Sequence, residues 1–426
     1  MTSERRSLHL FFISSSIRLI GTGIFNTLFN IYFLESGFTE SFLGLFLATG
    51  NIAMAISSYP SGILIDRFSK KTLMLLFTAI LCLCYYFQTI ITFRPVLLLI
   101  SFIFGIAFIG LNNLTGPTLY SFKTIQSRFN LFSIFRFTNI ISITIGAALA
   151  GFCHNRNIPV KKILYLSAIL GFISMIPQFF LTEIKSDPDH SGPLPHEPVK
   201  TQKSDALTSE NPRTLILILF ILSVVGFSPM IINYSNVYLQ LKTNFDIDQI
   251  AFGQAGIHLI SGSLILLFSK YKIKNSDLLK NLLIFSGLSF LLFTLIYLSD
   301  SFILLVGCLT GLIWIFDVLF SLLNDFIFSA TKSKDHGKYA GLINLVSNFS
   351  ETAGILLCGW LIQQKSFIGI YIGSTIPVIL FILITAWGAI LHDPKMRSNR
   401  YRQPSIKRRS KKFLQATVLF PLFWSQ

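Results

Sequence analysis

Charged residues are scarce in this sequence, and acidic residues are the scarcer kind. Asp, Glu, Lys and Arg make up only 13% of the 426 residues, about half of the share in an average soluble protein. Hydrophobic residues reach 52%, and 43 residues are Phe. This composition excludes a soluble enzyme, a disordered chain and a disulfide-rich secreted domain.

Motifs of catalysis and metal binding are also missing. The five cysteines form no Cys-x-x-Cys pair and lie in or at the end of apolar runs, so we interpret them as small apolar residues. The sequence has no phosphate-binding loop, no His-Glu-x-x-His cluster and no nucleophile elbow. We therefore expect no enzyme activity, no cofactor and no metal site.

The charge that is present is mostly positive. Lys and Arg number 35 against 19 Asp and Glu, for a formal net charge of +16. In a polar chain such an excess favours nucleic-acid binding. In an apolar chain it is typical of a multi-span membrane protein whose basic residues lie in loops. We therefore expect contact with the lipid bilayer and not with a nucleic acid.

Twelve apolar stretches approach or exceed the roughly 20 residues that a membrane-spanning helix needs. They lie at about 8–34, 42–64, 71–93, 96–121, 129–152, 161–182, 213–240, 249–268, 279–298, 301–330, 339–363 and 366–391. The first run is too long for a cleavable signal peptide and has no small-residue cleavage site after it. We predict an all-α membrane protein with 12 transmembrane helices in two six-helix bundles.

The spans fall into two groups of six. The predicted domains are an N-terminal bundle over 1–182, a polar, proline-containing cytoplasmic linker over 183–212, a C-terminal bundle over 213–391 and a basic cytoplasmic tail over 392–426. The tail ends in a short apolar segment, 413–424, which we interpret as interfacial or disordered.

Basic residues give the orientation. Of the 35, 27 lie in segments on the side of the N-terminus, six lie in loops on the other side, and Arg18 and Arg136 lie inside spans. Because basic loops stay in the cytoplasm, both termini are predicted to be cytoplasmic. We expect a monomer in a bacterial plasma (inner) membrane.

The two halves resemble each other in sequence. Seven of ten residues are identical between 61–70 and 261–270, and the pair Gly146 and Gly151 in span five has a counterpart, Gly354 and Gly359, in span eleven. Each half has an even number of spans, so both halves have the same topology. This indicates a parallel repeat with a substrate path between the halves.

The loop between spans two and three carries a motif. It consists of Gly62, Leu64, Asp66, Arg67, Lys70 and Lys71. Gly62 has no side chain, so another helix can approach span two closely there. Together with the 6+6 plan and the long linker, this loop resembles that of the major facilitator superfamily, although Ser69 stands where the family usually has Gly. The resemblance implies that Gly62, Asp66 and Arg67 form a latch on the cytoplasmic side of the outward-open state.

Polar residues inside the spans are candidates for function because they are costly in lipid. Two in-span acids, Asp317 and Glu351, are the predicted proton-coupling groups. The predicted substrate-binding residues are Arg18, Asn26, Asn113, Arg136, Asn233, Gln254, His258, Asn344 and Asn348. Two structural alternatives remain open: amides that only hold helices together, and a salt bridge of Arg18 or Arg136 with Glu351.

The resemblance implies a secondary active transporter that moves a small organic solute by alternating access. Proton coupling is expected, and the frequency of exporters in the family favours efflux by antiport over uptake. One alternative is uptake or exchange of an organic anion bound by Arg18 and Arg136, because guanidinium suits carboxylate or phosphate. Another is a membrane receptor or scaffold that transports nothing.

Overall fold

Long apolar runs fold as helices because a helix satisfies its backbone N–H and C=O groups within the segment, as the bilayer interior requires. The computed structural model describes residues 3–120, 128–182, 226–243, 245–269, 278–330 and 336–392. Over these residues all regular structure is helical, which confirms the predicted all-α fold. The predicted linker and nearly all of the predicted tail lie outside the described residues.

The helices of the first half are α1 Ser3–Glu35, α2 Glu40–Arg67, α3 Lys70–Gln88, α4 Arg94–Tyr120, α5 Arg128–Asn155 and α6 Val160–Phe179. The seventh span consists of a 3-10 helix, Ser228–Tyr234, that continues into α7, Ser235–Thr243. The remaining helices are α8 Ile247–Ser269, α9 Leu278–Leu298, α10 Phe302–Ala330, α11 His336–Gln363 and α12 Phe367–His392.

Two predicted spans have different shapes in the structure. Span three was expected over 71–93, but α3 ends at Gln88, where Thr89 closes the helix and its hydroxyl donates to the Tyr86 carbonyl oxygen at 2.7 Å. Span seven was expected as one helix over 213–240. Its described part is instead kinked at Pro229 (φ −78°, ψ 25°), because proline lacks the N–H that a continuous helix needs.

The bundle has two ends. We call the end at which α1 finishes and α2 begins the distal end, and the opposite end, which includes the turn between α2 and α3, the proximal end. The distal connections are short, as between Glu35 and Glu40 or between Gln363 and Phe367. In the orientation predicted from the basic residues, the proximal end is cytoplasmic.

The two halves pack their helices in the same way. In the first half α1 packs against α5 and α6, α2 against α4, and α3 against α4 and α6. In the second half the seventh span packs against α11 and α12, α8 against α10, and α9 against α10 and α12. Each contact has its counterpart six helices later, as the predicted parallel repeat requires.

The repeated glycines occupy matching places inside their halves. Gly146 of α5 lies against α1, where an added Cβ would overlap the backbone oxygen of Ile20. Gly354 of α11 lies against the seventh span, where a Cβ would be 2.9 Å from the backbone oxygen of Phe227. Small residues at these points allow the two backbones to touch.

The second glycine of each pair faces the opposite half. At Gly151 of α5 an added Cβ would lie 3.1 Å from the Cβ of Ala251 in α8. At Gly359 of α11 it would lie 3.1 Å from the Cα of Gly44 in α2. The pairs α5–α8 and α2–α11 therefore join the two halves by equivalent contacts.

The cysteines match their interpretation as small apolar residues. All five are free, and four of them are buried. Cys153, near the end of α5, is half-buried. Their thiols therefore serve mainly to fill space between helices.

Candidate functional site

An amide cluster joins the two halves beside the kinked seventh span. Asn30 of α1 donates from its side-chain nitrogen to the backbone oxygen of Asn233 at 3.0 Å and to Oδ1 of Asn236 at 3.2 Å. The side-chain nitrogen of Asn236 returns the contact by donating to the backbone oxygen of Thr27 at 2.9 Å. The 3-10 turns leave backbone oxygens such as that of Asn233 available for this bonding.

Glu351 of α11 lies next to this cluster, at the junction of α2, α11 and the seventh span. Its Oε1 accepts a hydrogen bond from Nδ2 of Asn233 at 2.8 Å. The amide of Asn51 in α2 faces the same carboxylate, and its buried nitrogen has no hydrogen-bond partner among the described residues. Glu351 follows the start of α11 by 15 residues, about 22 Å along the axis, so its carboxylate lies deep in the bundle. All the polar neighbours found for it are amides.

The distal side of this site is closed. The hydroxyl of Tyr234 lies between Gly44 and Gly359, where added Cβ atoms would be 2.8 and 2.6 Å from its oxygen. Tyr234 is fully buried. The backbone oxygen of Glu40, at the start of α2, would be 2.9 Å from a Cβ at Gly359. We call Glu40, Gly44, Tyr234 and Gly359 the distal seal.

The proximal side carries an exposed ion pair between the halves. A guanidinium nitrogen of Arg136 in α5 lies 3.7 Å from Oδ1 of Asp317 in α10, and these side chains are 58% and 40% exposed. Asn26, which lies nine residues before the distal end of α1, is exposed as well. Exposed charges between two apolar bundles indicate a space that water can enter from the proximal side.

Among the described residues, the in-span charges do not form the salt bridge that the sequence allowed as an alternative. That bridge joined Arg18 or Arg136 to Glu351. Instead, Arg136 meets the other acid, Asp317, and Glu351 meets the amide of Asn233. Arg18 lies inside the first half, against a cavity whose lining residues all belong to α1, α3, α4 and α6.

Some predicted substrate-binding residues hold helices together within one half. Asn113 of α4 donates to the backbone oxygen of Ser58 at 3.1 Å and to the Ser61 hydroxyl at 2.6 Å, both in α2. Gln254 of α8 is buried and donates to the Ser235 hydroxyl at 3.0 Å. Both amides make the helix-bonding contacts that the sequence left as an alternative.

Three further predicted residues lie in the second half without a described side-chain hydrogen bond. His258 of α8 and the two amides Asn344 and Asn348 of α11 are half-buried. Among the described residues, the structure assigns them no specific partner. Their role in binding stays a prediction.

The close approach predicted at Gly62 is not seen among the residues that the structure describes. Among the described residues, a Cβ added at Gly62 would meet nothing within 4 Å, whereas one at its repeat counterpart, Gly262, would overlap Ile140 of α5. Arg67 is exposed, and the Asp66 side chain lies outside the described residues. The physical reason is that α2 meets α11 at the distal seal, which leaves the proximal end of α2 free of close contact around Gly62.

Sequence reasoning missed three residues of this site: Asn30, Asn51 and Tyr234. Both amides lie in predominantly apolar spans, Asn30 close to Asn26 and Asn51 close to Thr49, which is a usable signal because polar groups in a span are costly. No feature of the sequence marked Tyr234 as a site residue, because aromatic residues are common in apolar spans. Its importance comes from the two glycines that face it from α2 and α11.

The exposed ion pair predicts a small energetic coupling. We expect Arg136→Gln and Asp317→Asn each to change the free energy of unfolding by less than about 1 kcal/mol, because exposed pairs are screened by water. A double-mutant cycle on thermal unfolding of the purified protein measures the coupling between the two side chains. A coupling of about 3 kcal/mol or more would contradict the exposed geometry, since that size is typical of buried pairs.

Comparisons with known proteins agree with this architecture. The sequence matches the family model of the Major Facilitator Superfamily over residues 11–315. No curated protein matches the chain by sequence. Among solved structures, a mutant of the nucleoside transporter NupG has a TM-score of 0.72 at 15% identity, covering 90% of this chain and 100% of that chain.

Two further structures show the same fold. The human organic anion transporter MFSD10 (TETRAN) has a TM-score of 0.61 at 14% identity, covering 90% of this chain and 100% of that chain. A bacterial homolog of the human lysosomal transporter Spinster, in an inward-facing and occupied conformation, has a TM-score of 0.65 at 13% identity. It covers 90% of this chain and 95% of that chain.

The family match extends over most of the chain, and the helices are those of a membrane protein. Counted over the described residues alone, nine helices are long and apolar enough to cross a bilayer. The halves repeat one packing plan, and a polar site lies between them. The chain belongs to the major facilitator superfamily and is a membrane transporter, not an enzyme.

Proposed function

We propose that the protein is a proton-coupled transporter that moves a small, polar organic solute by alternating access. The observation that carries this proposal is Glu351, a deep carboxyl group at the contact between the halves that is held by amides. Alternating access, the proton site and the class of solute rest on separate features of the structure.

Alternating access requires a site that is closed on one side while it is open on the other. The distal seal closes one side, where Gly44 and Gly359 bring α2 and α11 together. On the other side, Arg136 and Asp317 remain exposed. In the predicted orientation this is an inward-facing state. A transport cycle then requires the distal seal to open while the proximal ends of the halves approach.

Proton coupling at Glu351 follows from the cost of burying a charge. An ionised carboxylate in a dry interior costs several kcal/mol unless a cation compensates it. Among the described residues, Glu351 has amide neighbours, Asn233 and Asn51, and no ion-pair partner. Binding a proton when the halves close, and releasing it when water enters, avoids this cost. Protonation of Glu351 would thereby be tied to the conformational change.

The class of solute follows from the charge balance of the site. Arg136 is paired with Asp317, so the exposed proximal side carries no uncompensated charge from these two residues. The exposed amide of Asn26, which lies deeper in the bundle, can both donate and accept hydrogen bonds. This surface suits a neutral or zwitterionic solute with several polar groups. An organic anion held by Arg18 and Arg136 together is less favoured, because Arg18 lines a cavity inside the first half.

Flux measurements in proteoliposomes test the proposal. Neutral polar solutes, including nucleosides, and organic anions are compared with and without a pH gradient, with empty liposomes as the control. We expect a neutral solute to accumulate only when the gradient is present. Export by antiport predicts accumulation in inside-out vesicles with an acidic lumen. Solute binding without any flux would support the receptor alternative, and flux that ignores the gradient would refute proton coupling.

A further inference from the structure

The ion pair between Arg136 and Asp317 is loose. Nη2 of Arg136 lies 3.7 Å from Oδ1 of Asp317, whereas a tight charge-assisted hydrogen bond between such groups measures about 2.7–2.9 Å. The two side chains are 58% and 40% exposed, and neither makes a hydrogen bond among the described residues. The two groups attract each other, but their donors and acceptors remain available to a third molecule.

The pair lies across an open space in the middle of the bundle. α5 packs mainly against α1 and α8, and α10 packs mainly against α8 and α9, so the described parts of α5 and α10 share no extensive contact. Asp317 precedes the end of α10 at Ala330 by 13 residues, about 20 Å along the axis. This depth is similar to that of Glu351 from the start of α11, so the pair lies near the level of the proposed proton site.

Each half contributes one of the two charges. Arg136 belongs to the first half and Asp317 to the second, so a molecule that contacts both side chains links the halves. When the proximal ends approach around such a molecule, water leaves, and attraction between opposite charges is stronger where water is excluded. A ligand at this pair thus favours the closed state over the open one, as alternating access requires of a transported solute.

The composition of the pair selects the charge of its ligand. A simple anion would meet Arg136 but would lie beside the carboxylate of Asp317, which has the same sign. A simple cation would meet Asp317 and lie beside the guanidinium. A molecule that carries both an ammonium and a carboxylate satisfies both side chains, because the four charges then alternate in sign.

We infer that Arg136 and Asp317 recognise a zwitterion of the amino-acid class. Its carboxylate accepts hydrogen bonds from the Arg136 guanidinium, which can donate two in parallel, and its ammonium donates to the Asp317 carboxylate. Because the two protein groups are only 3.7 Å apart, they suit a ligand whose own charges are adjacent. The inference rests on the proposed function, since it names the class of solute for that site.

Ligand binding to the full-length purified protein tests this recognition without any transport. The standard amino acids are screened by thermal unfolding, and each one that binds is compared with its methyl ester, which keeps only the ammonium, and its N-acetyl derivative, which keeps only the carboxylate. We expect at least one amino acid to raise the unfolding midpoint by about 1–3 °C at saturation. Both derivatives should bind about tenfold more weakly or worse, because each loses one charged hydrogen-bonding group.

Variants of the pair should invert this preference, which a purely structural role would not do. In Arg136→Gln the methyl ester should bind at least as tightly as the amino acid, because Asp317 is then unpaired. In Asp317→Asn the N-acetyl derivative should gain in the same way. Arg156→Gln is the matched control, since it removes an exposed positive charge at the distal end and should keep the preference for the zwitterion. If a variant fails to fold, the three compounds on the natural protein decide.

Two results would overturn the inference: no amino acid binds, or the ester and the N-acetyl derivative bind as tightly as the amino acid itself. Proton-driven flux of an uncharged solute together with either result would overturn it and leave the proposed function intact. Zwitterion binding that inverts in the variants, without flux in proteoliposomes, would support the inference and refute transport.

Discussion

Replacing Glu351 with Gln is expected to abolish proton-driven accumulation while leaving solute exchange intact. Gln keeps an oxygen that can accept the 2.8 Å hydrogen bond from Asn233, so the junction of the halves is preserved. It cannot take up or release a proton. One proton moved down a gradient of 100 mV contributes about 2.3 kcal/mol, which corresponds to about 50-fold accumulation at tenfold per 1.4 kcal/mol. We expect this factor to fall to about one.

The measurement is solute uptake into proteoliposomes under a defined proton gradient, followed by counterflow in its absence. Asp246→Asn is the matched control, because Asp246 is an exposed acid in the distal connection before α8. It should accumulate solute as the natural protein does. Gradient-driven accumulation by Glu351→Gln would show that another group carries the proton. Loss of both accumulation and counterflow would instead indicate a structural role for the carboxyl group.

The number and grouping of the helices could be predicted from the sequence, because span length and apolar content depend on local residues alone. The bilayer requires about 20 apolar residues for each helix, and the 6+6 plan follows from where these runs stop. The kink at Pro229 could not be placed in the same way. Proline occurs inside α2 at Pro60 without ending that helix, so the residue alone does not decide the outcome.

The partners of each polar residue could not be predicted, because they depend on which helices meet. The sequence identified Arg136, Asp317, Asn233 and Glu351 as candidates, but not the pairing of Arg136 with Asp317 or of Asn233 with Glu351. The same pattern of apolar residues is compatible with many different rotations of the twelve helices about their own axes. Only the packing of backbone against backbone selects one of them.

The glycines show both what the sequence can predict about helix packing and what it cannot. Their repetition predicted equivalent halves, which the matched contacts of Gly146 and Gly354 support. The close approach expected at Gly62 stays a prediction for the outward-open state, and it is not seen among the described residues of this conformation. A glycine permits close packing but does not determine in which state of a moving protein it occurs.

Replacing Gly359 with Val is expected to hold the protein in a distally open state. The Cβ would lie 2.6 Å from the Tyr234 hydroxyl and 2.9 Å from the backbone oxygen of Glu40, so α2 must move away from α11. Overpacking of this kind costs about 1–3 kcal/mol. The cost falls only on the distally closed state, because the two helices separate there when the seal opens. The closed population should therefore drop by about 5–150-fold relative to the open one.

Spin labels at Ser36→Cys and Gln364→Cys report this change, since both residues are exposed at the distal end, one in each half. Cys153, the half-buried native thiol, is replaced by Ser in all samples. We expect the Gly359→Val variant to show longer distances between the labels and slower net transport. Gly287→Val in α9 is the control, because a Cβ there meets nothing within 4 Å and should leave the distances unchanged. Unaltered distances in Gly359→Val would mean that the distal seal can absorb a side chain, and that contact between Gly44 and Gly359 does not set the conformational equilibrium.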